Sequence, residues 1–293
     1  MRCLFVADLH YSLPQFDWLL KAAAGYDLVV LAGDALDISS IVDFRAQTLV
    51  IGKYLHRLAG VTRLIVCSGN HDLDSRGEAG EKVARWIQEA RALNIAIDGD
   101  GLVIDDTLFT ICPWWDGPVV RGALLAQLEA DALRRQGKRW VWIHHAPPIN
   151  SPTSWTGSKS LGCKDVEQWI KQYSPDIVVA GHVHQSPFVN NGSWADRIGT
   201  TWVFNAGHQY GAPPAYVVLD TDVGEAVWVS AMGVQTVRLD APLHRPIPPA
   251  KALPKWLDTR VPAAAATAVA STAGAGIDDA IELAGEPVGS GPI

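Results

Sequence analysis

The feature that most constrains this chain is a short apolar run that ends abruptly in polar side chains, and it recurs along the sequence. Continuous apolar runs of about four to eight residues, rich in Val, Ile and Leu, are typical of buried strands. Carboxylate, amide and imidazole groups directly after such a run are poor material for a core and good material for a site. The sequence therefore predicts strands that deliver polar ligands at their carboxyl ends. These ends are Asp8-Leu9-His10, Gly33-Asp34, Gly69-Asn70-His71-Asp72, His144-His145 and Gly181-His182-Val183-His184.

Helical patterns separate these strands. Apolar residues recur at helical spacing over residues 14–24, over a segment that Ser39 or Ser40 would cap and that ends near Leu58, and over residues 78–93. Short alternating runs then predict a change from β-α units to an antiparallel meander. Further helices are predicted over residues 123–135 and 166–173.

The domain organisation follows from length and from a change in composition. Layered α/β enzymes of this length commonly form one domain, so we expect a catalytic domain over residues 1–240. Beyond it a Pro-rich segment leads into one rich in Ala, Thr and Gly, with too little bulky apolar surface to offset the entropy lost on ordering. Residues 241–293 are therefore predicted to form a C-terminal tail, partly disordered or docked on the domain surface.

Charge and apolar content narrow the classes of partner. A net charge of -7 and an isoelectric point near 5.7 argue against nucleic-acid binding, because no stripe of Lys and Arg would neutralise phosphates. No apolar run approaches the ~18 residues of a membrane span, so no membrane association is expected. A small-molecule substrate fits better.

The cysteines and the amino terminus bear on localisation. The four cysteines show no paired spacing, and Cys3, Cys67 and Cys112 lie in apolar runs, which is typical of reduced buried thiols. The first predicted strand begins at Arg2 and leaves no room for a cleaved export signal. Both observations predict a cytoplasmic protein.

The predicted strand ends offer a donor set for metal ions. They combine two carboxylates, one amide and several imidazoles without a thiolate, which suits Mn, Fe, Zn or Co. The set is too large for one tetrahedral ion, whereas two divalent ions ~3.5–4 Å apart, sharing a carboxylate and a hydroxide, would use it fully. Such a pair binds phosphoryl oxygens and lowers the pKa of the bridging water. The predicted reaction is hydrolysis of a phosphate ester.

In their order and separation, the motifs from Asp8 to His184 resemble the calcineurin-like metallophosphoesterase family. The resemblance implies an α/β fold, a four-layer αββα sandwich of two mixed β-sheets flanked by helices, with a dinuclear metal centre at the strand ends. It also implies ligands, position by position: Asp8, His10 and His184 for one metal, Asn70, His144 and His182 for the other, and Asp34 bridging both.

The resemblance further implies how the phosphate ester is cleaved. His71 would act as general acid and protonate the leaving oxygen after attack by a metal-bridging hydroxide. Asp37 stands three residues after Asp34, where the family often carries the acid that orients this histidine, and Asp72 competes for that role. Asp37 could equally cap the following helix.

Comparison with subfamily motifs favours some substrates over others. Protein Ser/Thr phosphatases of this superfamily carry Gly-Asp-x-x-Asp-Arg-Gly and Gly-Asn-His-Glu, whereas this chain has Ile38 in place of the phosphate-clamping Arg and ends the second motif in Asp72. The pattern is closer to the group that includes class III cyclic-nucleotide phosphodiesterases and glycerophosphodiesterases. A phosphodiesterase acting on a small substrate is favoured. The alternatives are a phosphomonoesterase, a nuclease acting on DNA or RNA ends, and a non-catalytic protein-binding scaffold.

Other residues near the motifs are candidates for the substrate side. His145 is interpreted as a substrate-side or packing residue beside the ligand His144, in preference to a ligand itself. Asn205 and His208 lie in a Gly-containing turn and would either line the phosphate pocket or simply form the turn. Loop tryptophans could form an aromatic wall for a nucleobase or another apolar leaving group, or pack into the core. They are Trp114, Trp115 and Trp155.

Overall fold

The computed structural model describes residues 1–258. The helices are α1 (Leu13–Ala22), α2 (Phe44–Ala59), α3 (Arg85–Gln88), α4 (Pro118–Arg134), α5 (Lys164–Tyr173) and α6 (Lys255–Asp258). The strands are β1 (Arg2–Val6), β2 (Leu28–Ala32), β3 (Arg63–Cys67), β4 (Ser75–Arg76), β5 (Lys82–Val83), β6 (Ala96–Ile97), β7 (Gly101–Ile104), β8 (Thr107–Ile111), β9 (Arg139–Ile143), β10 (Ile177–Ala180), β11 (Ala195–Ile198), β12 (Thr201–Asn205), β13 (Tyr216–Asp220), β14 (Glu225–Ser230) and β15 (Gly233–Arg238). None of these helices is both long and apolar enough to cross a bilayer.

The strands form two mixed sheets and one small hairpin. One sheet has the order β15-β14-β13-β1-β2-β3-β6, the other has the order β11-β12-β10-β9-β8-β7, and β4 pairs with β5. In the first sheet β1, β2 and β3 are parallel, and in the second β8, β9, β10 and β12 are parallel. Parallel neighbours end at the same edge of a sheet, and ligand sites form outside such carboxyl ends. The loops after these strands are therefore gathered together.

The two sheets pack face to face, and helices cover their outer faces. Successive side chains of a strand point to opposite sides, so neighbouring residues enter different layers. Phe5 and Ile143 lie in the apolar layer between the sheets. Leu4 packs under α1 and α2, and Trp142 packs under α4 and α5. The predicted sandwich of two mixed sheets flanked by helices is confirmed.

The predicted helix over residues 78–93 is replaced by a hairpin and two short helical turns. The turn between β4 and β5 contains Gly80 at φ +80°, a left-handed conformation that glycine adopts without steric cost. The chain then forms α3 and a 3₁₀ turn over Glu89–Leu93. The apolar spacing after Gly80 predicted a helix, but the glycines at 77 and 80 favour the turn instead.

Helix α2 begins later than predicted, because Asp43 rather than Ser39 or Ser40 caps it. The Asp43 carboxylate accepts hydrogen bonds from two backbone N–H groups of the first turn, at 3.0 and 3.3 Å. These N–H groups have no partner within the helix, which is why a capping carboxylate stabilises it. Asp37 is therefore not the cap of α2, and its carboxylate remains available to the neighbouring loops.

The described part of the predicted tail packs along β15. The backbone N–H of Ala250 donates to the carbonyl oxygen of Val234 at 2.7 Å, and Pro249 forms a β-bridge with Gln235. Residues 259–293 of the predicted tail lie outside the described residues. The boundary between domain and tail stays a prediction.

Candidate metal centre

The loops after β1, β2 and β10 turn sharply and are held against one another. Asp8, His10, Asp34 and His182 have positive φ angles of 56°, 43°, 53° and 66°. This left-handed backbone costs about 1–3 kcal/mol per residue and persists where the surrounding structure holds it. Backbone hydrogen bonds from Asp8 to Gly33 and from His10 to Asp34, each 3.0 Å, join the first two loops. Backbone strain is thus present at four of the residues that the sequence predicted to form a site.

Glycines let these loops approach closely. A Cβ atom on Gly69 would lie 2.1 Å from Oδ1 of Asp34, and one on Gly181 would lie 2.5 Å from Oδ2 of Asp8. Both distances are far inside van der Waals contact. The glycines before Asn70 and His182 are therefore required by the space beside the two carboxylates.

The carboxylates of Asp8 and Asp34 are buried at the centre of a cluster of imidazole rings. Nε2 of His184 lies 3.2 Å from Oδ1 of Asp8, and Nε2 of His10 lies 3.9 Å from Oδ2 of Asp34. The candidate ligand atoms of Asp8, His10 and His184 all lie within 4.8 Å of one another. The structure brings together these residues from the predicted ligand set: Asp8, His10, Asp34, Asn70, His182 and His184.

The hydrogen bonds of His145 explain why this cluster suits a cation. Its Nδ1 lies 2.8 Å from the carbonyl oxygen of Ala32, which can only accept, so Nδ1 carries the proton and Nε2 has the lone pair. This Nε2 lies 3.0 Å from Oδ2 of Asp34, which is also an acceptor. Two acceptors at this distance repel each other unless a proton or a metal ion lies between them.

The histidine pKa values without metal also show that the two carboxylates attract positive charge. Burial alone would lower the pKa of His145, but the Asp34 and Asp8 carboxylates outweigh it and raise this pKa to about 10. Burial lowers the pKa of His10 and of His182 to about 4, because the carboxylates only partly compensate for it. These two rings are therefore neutral at pH 7 and keep a lone pair for a ligand.

The donor chemistry of the cluster fits divalent metal ions. Carboxylate oxygens, an amide oxygen and imidazole nitrogens are ligands for Mn, Fe, Zn and Co, and two buried carboxylates would balance much of the charge of two such ions. Because the pKa of His145 is about 10, Nε2 also binds a proton at pH 7 when no metal is present. A metal ion at Asp34 would take the place of that proton. The residues of this cluster therefore fit a pair of divalent metal ions.

A family model described as calcineurin-like phosphoesterase matches residues 1–186, a range that includes all the loops of this cluster. The chain belongs to this family. Calcineurin-like phosphoesterases are hydrolases of phosphate esters that use a pair of divalent metal ions, and the cluster supplies candidate ligands for such a pair.

Solved structures show the same fold. The phosphoesterase chain is similar to the protein TT1561 of Thermus thermophilus, with a TM-score of 0.53 and 14% identity over 81% of this chain and 98% of the other. It is also similar to the purple acid phosphatase PPD1 from yellow lupin (Lupinus luteus) seeds, with a TM-score of 0.52 and 14% identity over 83% of this chain and 52% of the other. No curated protein sequence matches the chain. At these identities the similarity concerns the fold.

His145, not His144, occupies the position expected of a metal ligand in this phosphoesterase. Nδ1 of His144 donates to the carbonyl oxygen of Ala146 at 2.8 Å, and the ring lies 5.0 Å from that of Trp115, away from the carboxylates. Both histidines directly follow β9, and successive side chains there point in opposite directions, so one of the pair faces the cluster. The resemblance assigned the ligand role to His144, whereas the structure turns His145 toward the carboxylates.

Asp72 holds the loop backbone rather than the His71 ring. Its carboxylate accepts hydrogen bonds from the N–H groups of Asp34, Gly69 and Leu36 at 2.7, 2.8 and 3.0 Å. Burial and the charge of Asp34 raise the pKa of Asp72 to about 8. The structure thus places Asp72 beneath the site, where it joins the loops after β2 and β3, and corrects its assignment as the competing partner of His71.

His71 lies at the partly exposed side of the cluster, next to Asp37. Its Nδ1 is 3.4 Å from Oδ1 of Asp37 and accepts a hydrogen bond of 3.3 Å from the N–H of Ile38. Its ring centre is 4.6 Å from that of His10. Because Nδ1 is engaged by the loop, Nε2 is the nitrogen that can donate a proton.

Two of the substrate-side candidates contact the cluster. The Trp114 ring lies 5.2 Å from the ring of His182, and the His208 ring lies 4.9 Å from that of His184. Nδ1 of His208 also donates to the backbone carbonyl of Asp8 at 2.6 Å. Both residues therefore border the candidate centre.

Asn205 and Trp155 stabilise loops instead. Asn205 is fully buried, and its side chain donates to the carbonyl oxygens of Thr153 and Val183 at 2.9 and 3.1 Å. Nε1 of Trp155 donates to the carbonyl oxygen of Asn190 at 3.1 Å. The turn interpretation of Asn205 fits this placement, and the phosphate-lining interpretation does not.

Sequence reasoning missed Gln47, a buried side chain of α2 that fixes the loop carrying Asp37. Its Oε1 accepts the N–H of Asp37 at 2.9 Å, and its Nε2 donates to the carbonyl oxygens of Asp37 and Val42 at 3.0 and 2.9 Å. Gln47 lies four and eight residues before Ile51 and Leu55, which form the apolar face of α2. An amide on an apolar helix face was the signal available in the sequence.

Proposed function

We propose that this phosphoesterase is a phosphodiesterase that hydrolyses a small phosphodiester with two divalent metal ions. The observation that carries the proposal is the convergence of two buried carboxylates, an amide and several imidazole lone pairs, with His71 at the exposed side. The sequence motifs of the chain favour the group that includes class III cyclic-nucleotide phosphodiesterases and glycerophosphodiesterases.

The ligand assignment changes from the sequence-based one at one position. When bound, the ions would polarise the phosphoryl oxygens and lower the pKa of water. His145 replaces His144 because its Nε2 lies 3.0 Å from the Asp34 carboxylate. We assign these ligands: Asp8, His10 and His184 to one ion, Asn70, His145 and His182 to the other, and Asp34 to both.

His71 is assigned the proton that the leaving oxygen requires. Oδ1 of Asp37 lies 3.4 Å from Nδ1 and would accept the Nδ1 proton of a doubly protonated ring, which leaves Nε2 as the donor to the leaving oxygen. His71 would thus give the proton from Nε2 as the ester oxygen departs, and Asp37 would act as its positioning residue.

The charges around the cluster favour a diester over a monoester. Within residues 1–258, every ion pair of the Asp8, Asp34 and Asp37 side chains is with a histidine, none with Lys or Arg. A phosphomonoester dianion carries one more negative charge than a phosphodiester and needs more counter-charge from the protein. In residues 1–258 no Lys or Arg adds positive charge at these carboxylates, which supports the less charged diester.

The function is tested with bis(p-nitrophenyl) phosphate and p-nitrophenyl phosphate. Metal-free protein is reloaded separately with Mn, Zn, Fe and Co, and kcat/KM is measured for both esters. We expect metal-dependent turnover with a clear preference for the diester. A preference for the monoester would identify a phosphatase instead, and absence of turnover with every metal would favour a protein-binding scaffold.

Cleavage of single-stranded DNA or RNA that falls steeply with salt would indicate a nuclease.

Replacing His144 and His145 one at a time tests which of the two binds metal. Both are fully buried, so replacement by phenylalanine preserves ring volume at either position. We expect His145→Phe to lose bound metal, because it removes the nitrogen that faces Asp34, whereas His144→Phe should keep the wild-type metal content. Metal analysis after dialysis measures both. Loss of metal from the His144 variant alone would restore the original assignment.

A further inference from the structure

A small cavity lies beside the candidate metal centre. Its volume is about 110 Å³, and we name it the tryptophan pocket after two of its lining residues. An apolar cavity of ~150 Å³ holds a benzene ring. The pocket is smaller than that, but three of its lining residues are partly exposed, so it opens to solvent and could take a single ring with one edge in water, not a fused system. The lining residues are Trp114, Trp115, His144, Ala146 and Cys163.

One polar atom that lines the pocket has no partner. His144 is 2% exposed, and its Nε2 makes no hydrogen bond within the described residues. Because Nδ1 donates to the carbonyl of Ala146, Nε2 carries the lone pair and can only accept. A buried acceptor without a donor is unfavourable, and a ligand that supplies the donor recovers that free energy.

The aromatic walls are fixed before any ligand binds. The Trp115 ring lies 5.5 Å from that of Trp169, a core residue of α5. The backbone N–H of Trp114 donates to Oγ of Ser68 at 2.9 Å, and the N–H of Ser68 donates to the buried Asp98 at 2.8 Å. A preformed pocket loses little entropy when it binds a ring.

Trp114 links the pocket to the metal centre. Its ring lies 5.2 Å from that of His182 and 5.7 Å from that of His145, so one indole borders both spaces. The pocket and the centre are therefore one indole ring apart, a separation that a substituent on a phosphate at the centre could span.

We propose that the tryptophan pocket binds an aromatic ring bearing an N–H or O–H donor, carried by an organic substituent of the phosphodiester. The inference rests on the proposed function and deepens it, because it names the substrate class. The indole rings would contact the face and edge of the ring, as aromatic pairs prefer, and Nε2 of His144 would accept from its donor. A phosphodiester with an aliphatic substituent, such as glycerol, lacks the flat face.

Phenol and anisole test the pocket without turnover. They share the ring, but phenol alone has an O–H donor. NMR titration of the metal-free full-length chain, followed through the indole N–H signals, should give phenol at least about tenfold tighter binding than anisole. Cyclohexanol, a donor without a flat ring, should bind more weakly than phenol. Equal binding of phenol and anisole, or binding of neither, would overturn the proposal.

Two variants locate the contact. His144→Phe should remove the preference for phenol, and Trp115→Leu should weaken both aromatic probes; if the first does not fold, the second and the wild-type comparison still decide. The outcomes also separate the two proposals. A phenol preference without hydrolysis of any phosphoester would support the ring site and overturn the proposed function. Hydrolysis without that preference would overturn the pocket and leave the function.

Discussion

The Asp34→Asn protein is expected to lose more than about 10³-fold of its phosphodiester turnover at saturating metal. Asparagine keeps the size of the side chain, and its oxygen can still accept the backbone N–H of His71, which Oδ1 of Asp34 accepts at 2.8 Å. It removes the buried negative charge that we assign to both metal ions. The loss should therefore appear in kcat and in the metal content, with the fold preserved.

Asp17→Asn is the matched control for this prediction. Asp17 is an exposed residue of α1 whose carboxylate accepts a hydrogen bond from Tyr54, and an amide oxygen can replace it. Its turnover, metal content and thermal unfolding should equal those of the wild type. Full activity in the Asp34→Asn protein would contradict the bridging role of Asp34.

The His71→Ala protein is expected to lose the most activity with substrates whose leaving group must be protonated as it departs. A positioned general acid contributes about 10²–10⁴-fold, and the contribution is small when the leaving group is a stable anion. We expect a large fall in kcat with diphenyl phosphate and a much smaller fall with bis(p-nitrophenyl) phosphate. Because His71 is not among the assigned ligands, its metal content should match the wild type.

Asp37→Asn gives the graded control for His71. It keeps the loop atoms bonded to Gln47 but removes the charge 3.4 Å from Nδ1 of His71. We expect an intermediate loss, about tenfold, with the same dependence on the leaving group. Equal losses with both diesters, accompanied by loss of metal, would make His71 a ligand instead of an acid.

The strand ends could be predicted from the sequence because two independent signals coincide there. A short run such as Val29-Val30-Leu31 has the length and composition of a buried strand, and the polar residues that follow it have no place in a core. The layered architecture came from the resemblance carried by these motifs. Burial of β1, β2 and β3 agrees with this, since each is almost entirely inaccessible to solvent.

The remaining features depend on information that local patterns do not contain. The orientation of His144 and His145 is set by the direction in which β9 ends, and two of the three hydrogen bonds that Asp72 accepts come from the loop after β2, distant in sequence. Asp43 caps α2 because the loop before it is held by Gln47, a contact across several residues. The sequence offered Ser39, Ser40 and Asp37 as candidates for that cap, and only packing decides in favour of Asp43.

The contact between the proline-rich segment and β15 bears on how accessible this sheet edge is to other chains. β15 is the outermost strand of its sheet, and such an edge presents unpaired backbone groups to which another chain can add a strand. Ala250 and Pro249 cover part of this edge, and proline has no N–H with which to continue a ladder. A chain cut after Asp240 would uncover β15 and offer it to a second copy. Residues first interpreted as a tail therefore occupy part of the sheet edge that another strand would use.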